Sequence, residues 1–116
     1  MFMEAKDLSF GSVTIDGKTY YKDLVIDRGS VRKRKKSESK KYRDRFGHTP
    51  LSGNENIPWK CKMLIIGTGH SSSLPVMDEV YAEGVHRGVK IVLMSTPEAI
   101  GHINDMETNL IIHLTC

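Results

Sequence analysis

Residues 63–75 read Met63-Leu64-Ile65-Ile66-Gly67-Thr68-Gly69-His70-Ser71-Ser72-Ser73-Leu74-Pro75, an apolar run that breaks into glycines, hydroxyls and one imidazole. Backbone amides around Gly67 and Gly69, with the hydroxyls of Thr68, Ser71, Ser72 and Ser73, are the groups with which a loop cradles a carboxylate or phosphate. A loop of this kind at the carboxyl end of a buried strand sits where α/β folds bind small molecules. The competing reading is a tight strand-to-helix connection whose glycines solve only a steric problem. The spacing stops short of a dinucleotide fingerprint, because Ser72 replaces the third glycine and Pro75 opens the helix late. Met94-Ser95-Thr96 also stands where the ribose-binding acid belongs. No lysine follows the glycines, which excludes a P-loop. No cofactor is therefore expected.

The five histidines, His48, His70, His86, His102 and His113, follow no HxH or HExxH spacing, so no metal ligands are assigned. His86 and His102 fall on predicted polar helix faces, and His113 alternates with apolar residues as a structural side chain. His48 and His70 lie in loops, where functional groups concentrate. They are the acid–base candidates if the protein is an enzyme. A nucleophile pair would join one of Ser71 to Ser73 to either imidazole and an orienting acid, but no GxSxG elbow is present. No residue is assigned as catalytic. Cys61 and Cys116 form neither a CxxC pair nor a disulfide framework, and point to a reducing, cytoplasmic setting. Cys116 reads as a chain end tucked against the sheet, its thiol made less acidic by a neighbouring negative charge.

The charge is uneven. Lysine and arginine number 17 against 14 acids, a net +3. Ten of the cations fall between Arg28 and Arg45, against Glu38 and Asp44 alone. Arg32, Arg34, Lys36, Lys40, Lys41 and Arg43 form the basic patch expected to meet an anionic partner. Only Tyr42 and Phe46 offer aromatic stacking nearby, and no nucleic-acid-binding signature accompanies the run. A solvated surface is the competing reading of these charges.

These groups need elements to hold them. Phe10, Val13 and Ile15 lead into Asp16-Gly17, a dipeptide favoured in two-residue turns, and Thr19, Tyr20 and Tyr21 follow as the return strand of a hairpin. Leu24-Val25-Ile26 is a short strand, and Ser30 to Lys36 extends the antiparallel run. Ser37 to Trp59 shows no period and reads as loop, with Trp59 as a lid over the core edge. From residue 63 the rhythm changes. Met63 to Ile66 reads as a buried strand and Val89 to Met94 as another strand. Between them Val76, Met77, Val80, Tyr81 and Val85 recur at helical spacing, ended by Gly88. Ser95-Thr96-Pro97-Glu98 starts a second helix with a cap and an early proline. Ala99, Ile100, Ile103 and Met106 are its apolar stripe, and Leu110 to Leu114 closes the chain as a strand. The sum is an α/β protein in one domain of 116 residues, a mixed central sheet with packed helices and an antiparallel amino-terminal portion. Residues 28–60 form a basic, then loop-rich, insertion-like segment.

The order of several motifs resembles the Mth-type domain, a group of unknown function. The likeness runs from Phe10-Gly11-Ser12 and Ile15-Asp16-Gly17 through Gly29-Ser30-Val31, Gly47-His48-Thr49 and Leu64-Ile65-Ile66-Gly67-Thr68-Gly69. It continues with Thr96, Ala99 and Asn104 and closes on Ile111-Ile112-His113-Leu114-Thr115-Cys116. Its relatives include an adipogenesis-associated Mth domain protein and a mitochondrial complex I assembly factor. The resemblance implies a three-layer fold around a mixed sheet and no established reaction. Relatives carry a full helix before the glycine strand, where this chain has Asn54 to Lys60, so a pocket walled by that helix is more open here. They also carry an aromatic residue where Ile103 stands.

The composition, 39% hydrophobic and 27% charged, is that of an ordinary globular protein. No apolar run reaches the roughly 18 residues of a membrane span, and the amino terminus does not read as a secretory signal. Three functions remain. The first is a binding, assembly or regulatory module, monomeric or a weak homodimer, that takes a small anion or a protein partner at His48, Gly67, Thr68, Gly69, His70, Ser71 and Ser72. The second is an enzyme on a small anionic substrate that uses His48 or His70. The third is nucleic-acid binding through the basic segment.

Overall fold

The computed structural model describes residues 2–116. Three strands, β1 (Ala5–Ser9), β2 (Ser12–Ile15) and β3 (Lys18–Tyr20), form an antiparallel sheet in that order. The expected hairpin is β2–β3, in register Val13↔Tyr20 and Ile15↔Lys18. Asp16 and Gly17 both have positive φ, 49° and 81°, as the type I′ turn that matches strand twist requires. The sequence analysis missed β1. Its residues do not alternate between faces, and it is recruited by the open edge of β2, with a register irregularity between Lys6 and Ser9.

The second sheet holds β4 (Leu24–Asp27), β5 (Ser30–Lys33), β6 (Met63–Gly67), β7 (Lys90–Met94) and β8 (Thr108–Ile112), in the spatial order β5-β4-β8-β6-β7. β4 pairs antiparallel with β5 and β8, whereas β6 lies parallel to both β7 and β8. The sheet is therefore mixed, as expected. Continuous apolar runs suit strands buried on both faces, and β6 divides its side chains between two cores. Ile65 packs with Val13, Ile15, Leu24, Ile26, Ala99, Leu110 and Ile112 beneath the small sheet. Leu64 and Ile66 pack with Leu51, Ile57, Leu74, Val80, Val89 and Ile111 on the opposite face.

The helices are shorter than the periodicity predicts. A 3-10 segment (Lys36–Tyr42) runs into a single turn, α1 (Arg43–Phe46), within the stretch expected to be loop. α2 (Asp78–Arg87) begins three residues after Pro75. Val76 is held extended by a parallel bridge to Leu51, whose amide donates to the Pro75 carbonyl and whose carbonyl accepts from the Met77 amide. The buried positions of α2 are Val80 and Gly84. Tyr81 and Val85 from the expected stripe are 37% and 83% exposed. α3 (Thr96–Ile100) ends after five residues at Gly101. Ile103 still leans on the core, but Met106 is 88% exposed. The chain turns here because the Asn104 amide brackets the backbone of Met3, accepting from its N–H at 2.7 Å and donating to its carbonyl at 2.8 Å. Trp59 lies half-buried against the second core, with the Arg87 guanidinium 5.5 Å from its ring centroid.

Candidate functional site: a lysine cleft above a buried ion network

The glycine loop leaves β6 where it was expected, but its amides are already engaged within the chain. Thr68 N–H donates to Met94, Gly69 N–H to the Thr96 hydroxyl and His70 N–H to Thr115. Ser71 and Ser73 N–H both donate to the Cys116 carbonyl, at 3.0 and 3.1 Å, Ser72 to Gly69 and Leu74 to Thr68. The cradle is thus filled by the segment that follows β8. Gly69, at φ +109°, is needed because a Cβ there would meet the Cys116 backbone at 2.2 Å, and Gly67 because Thr96 and Ala99 crowd it. The expectation that these amides face a cavity is corrected: they join two segments. The Thr96 hydroxyl completes the join by donating to the His113 carbonyl at 2.5 Å.

The two loop histidines are not brought to a carboxylate or hydroxyl. His70 rests 5.7 Å from the Phe10 ring, with Nε2 3.1 Å from the Ser9 carbonyl, and His48 is exposed. His113, read as structural, has the better-defined surroundings. Its Nδ1 is 2.7 Å from Asp23 Oδ2 and its Nε2 is 3.3 Å from Thr115 Oγ1.

Asp23 belongs to a network that the sequence analysis missed. Arg34 Nη1 donates to Asp23 at 2.9 Å, while Nε and Nη2 grip both oxygens of Glu55 at 2.7 and 2.8 Å. A further bond runs from Nη2 to the Pro50 carbonyl, and Ser39, itself 2.6 Å from Ser52, donates to Glu55 at 2.5 Å. The three charged side chains are between 2% and 7% exposed. Burial alone would raise the Asp23 carboxyl, but His113, the Leu114 amide and Arg34 together hold it down at about 2. Burial would likewise lower Arg34, and the Glu55 and Asp23 carboxylates hold it above its ordinary value instead. The network ties the 3-10 segment and residues 50–55 to the sheet.

Above it opens a cleft of about 400 Å³, rimmed by Lys22, Lys33, Lys35, Lys36 and Lys40, with Asp23, Arg34 and Thr115 at its wall. Its one carboxylate, Asp23, is already paired with Arg34 and His113. Among the described residues, none of the five rim lysines has a carboxylate within ion-pair distance, and Lys62 is the one lysine that does. The basic patch therefore separates into parts. Arg34 is buried, and Arg32 turns to Asp27 and the Asn56 carbonyl. Lys36 and Lys40 line the cleft, Lys41 lies over the Tyr42 ring, and Arg43 opens α1 as an exposed residue. Lys33 and Lys35 were counted in the basic run but not assigned to the patch, and Lys22 lay outside it, because sharing one cleft depends on how β4, β5 and the 3-10 segment meet.

This geometry defines a small mixed α/β protein with an uncompensated cationic cleft at one end of its β4–β5 hairpin. The chain belongs to the family described as protein of unknown function, DUF498/DUF598, which matches residues 5–109. No curated protein matches the sequence. Among solved structures it is similar to the conserved hypothetical protein PH1505 from Pyrococcus horikoshii OT3, with 24% identity and a TM-score of 0.77 over 98% of this chain and 100% of that one. A protein solved as MT938 shares 25% identity at a TM-score of 0.71, over 99% and 100% of the two chains. An outer membrane protein from Bartonella henselae shares the fold alone, at 11% identity and a TM-score of 0.65, over 97% and 94%. No helix among the described residues of this chain is long and apolar enough to cross a membrane.

Proposed function

We propose that the protein is a binding module for a small anionic ligand, seated in the lysine cleft rather than at the glycine loop. The carrying observation is the set of five lysines, Lys22, Lys33, Lys35, Lys36 and Lys40, held around one cleft with no free carboxylate among them. Like charges gathered this way repel, and an anion placed between them relieves that repulsion while it binds. The rigid floor supplied by Arg34, Asp23 and Glu55 holds the cleft walls without drawing on the lysines. The Mth-type kinship belongs to the same reading and is supported by the closing motif, whose Leu114 and Thr115 line the cleft. A reducing, cytoplasmic setting is supported by the free thiols Cys61 and Cys116. Calorimetric titration with pyrophosphate at low salt tests the reading. Each lysine of the pair Lys36 and Lys40 changed to glutamine is expected to weaken binding about tenfold. Undiminished affinity in Lys36→Gln/Lys40→Gln would refute it.

One observation favours a second reading, catalysis on the bound anion. Asp23, His113 and Thr115 form a chain in which the carboxylate orients the imidazole and the imidazole faces a hydroxyl at the cleft wall. In that reading His113 takes the acid–base role sought for His48 or His70. Hydrolysis of p-nitrophenyl phosphate no faster than in Thr115→Val would remove it.

A further inference from the structure

A second depression of about 270 Å³ opens beside the lysine cleft, and the two share a wall made by Tyr21, Lys22 and Lys33. Its remaining lining is Lys18, Thr19, Tyr20 and Leu24, with no carboxylate. The pair differs in lining: five lysines border the larger depression, whereas Tyr20 and Tyr21 stand with Lys18, Lys22 and Lys33 around the smaller one. Tyr20 is partly occupied, since the Lys18 ammonium lies 5.1 Å from its ring centroid. Tyr21 is different. It is 74% exposed between β3 and β4 and belongs to neither hydrophobic core. Its phenol has no hydrogen-bond partner among the described residues. An aromatic ring left open at the lip of a cationic cleft is the arrangement with which proteins stack a planar ring while lysines hold its phosphate.

We infer that the ligand is a nucleotide, its phosphates among Lys22, Lys33, Lys35, Lys36 and Lys40 and its base against Tyr21. The inference rests on the anion reading above and adds the ring. The two depressions together fall in the size range of small-molecule sites. Bidentate arginine recognition plays no part, because Arg34 is fully engaged below the cleft.

The test is equilibrium binding of ADP, pyrophosphate and a short single-stranded oligonucleotide at one low ionic strength. It uses the wild type, Tyr21→Ala and Tyr21→Phe, with each variant's melting temperature confirming the fold. ADP is expected to bind about tenfold more tightly than pyrophosphate, the advantage of one stacked base. Tyr21→Ala is expected to abolish that advantage and leave pyrophosphate affinity unchanged, while Tyr21→Phe retains it. Equal binding of ADP and pyrophosphate, or an equal loss of both in Tyr21→Ala, overturns the nucleotide assignment and leaves the anion cleft standing. Binding of neither overturns both. An oligonucleotide that outcompetes ADP overturns the mononucleotide in favour of an extended strand.

Discussion

Asp23 and Arg34 face each other one rung beyond the β4–β5 ladder, the Arg34 amide donating to the Asp23 carbonyl at 2.9 Å and its guanidinium to the Asp23 carboxylate at the same distance. Backbone and side chain thus close the same pair. Glu55, from a segment without regular structure, completes the guanidinium's shell. Removing the cation leaves Glu55 buried with only hydroxyl contact from Ser39, and leaves Asp23 to His113 and the Leu114 amide, which costs about 3–5 kcal/mol. Arg34→Met is expected to lose that much in chemical denaturation. A loss below about 1 kcal/mol would show that the network carries no more than a surface pair does.

Asp23 also sets an acid limit, held down first by His113, then by the Leu114 amide and last by Arg34. Asp23 is held at about 2 in the folded chain, against an ordinary value of 3.8. A lowered carboxyl stabilises the fold fully above the unfolded value and loses that contribution as pH falls through the folded one, here between about 4 and 2. The contribution is about 2 kcal/mol. The stability gap between wild type and Asp23→Asn is expected to be constant from neutral pH to about 4 and to shrink by that amount toward pH 2. A gap independent of pH would contradict the assigned pairing.

The glycine loop should matter for folding. Gly17 sits at φ +81° with open space around it, so Gly17→Ala is expected to cost about 1 kcal/mol of strain. Gly69→Ala adds a clash with the Cys116 backbone and is expected to cost at least twice as much, read from thermal unfolding.

His70 serves as a control. It lies in the glycine loop against Phe10 and the Ser9 carbonyl. His70→Ala is expected to leave pyrophosphate affinity unchanged, by the titration used for the lysines. A marked loss would return the ligand to the loop.

Most of the fold was legible because its signals are local. Asp16-Gly17 specifies its hairpin, and the apolar runs starting at Met63 and Leu110 both fall in buried strands, the second observed two residues earlier than expected at each end. The helices were over-read where tertiary contacts outrank periodicity, as with Val76 bridging Leu51 and Asn104 clamping Met3. The site was legible only in outline. The basic segment was visible, but not that arginines and lysines in it part company. One clue was available. Arg28-Gly29, both at positive φ, form a two-residue turn, and counting outward from Asp27↔Ser30 places Asp23 opposite Arg34. Glu55 gave no such clue, because an irregular segment has no register. The loop amides misled because a sequence does not show which acceptors arrive from the far end of the chain.

The most direct measurement of the central claim is amide and lysine side-chain chemical-shift mapping during titration with pyrophosphate at low salt. The account predicts saturable shifts confined to Lys22, Lys33, Lys35, Lys36, Lys40 and Thr115, fading as salt is raised, with Gly67 to Ser73 undisturbed. Shifts centred on Gly69 to Ser73, with the lysines unmoved, would contradict it.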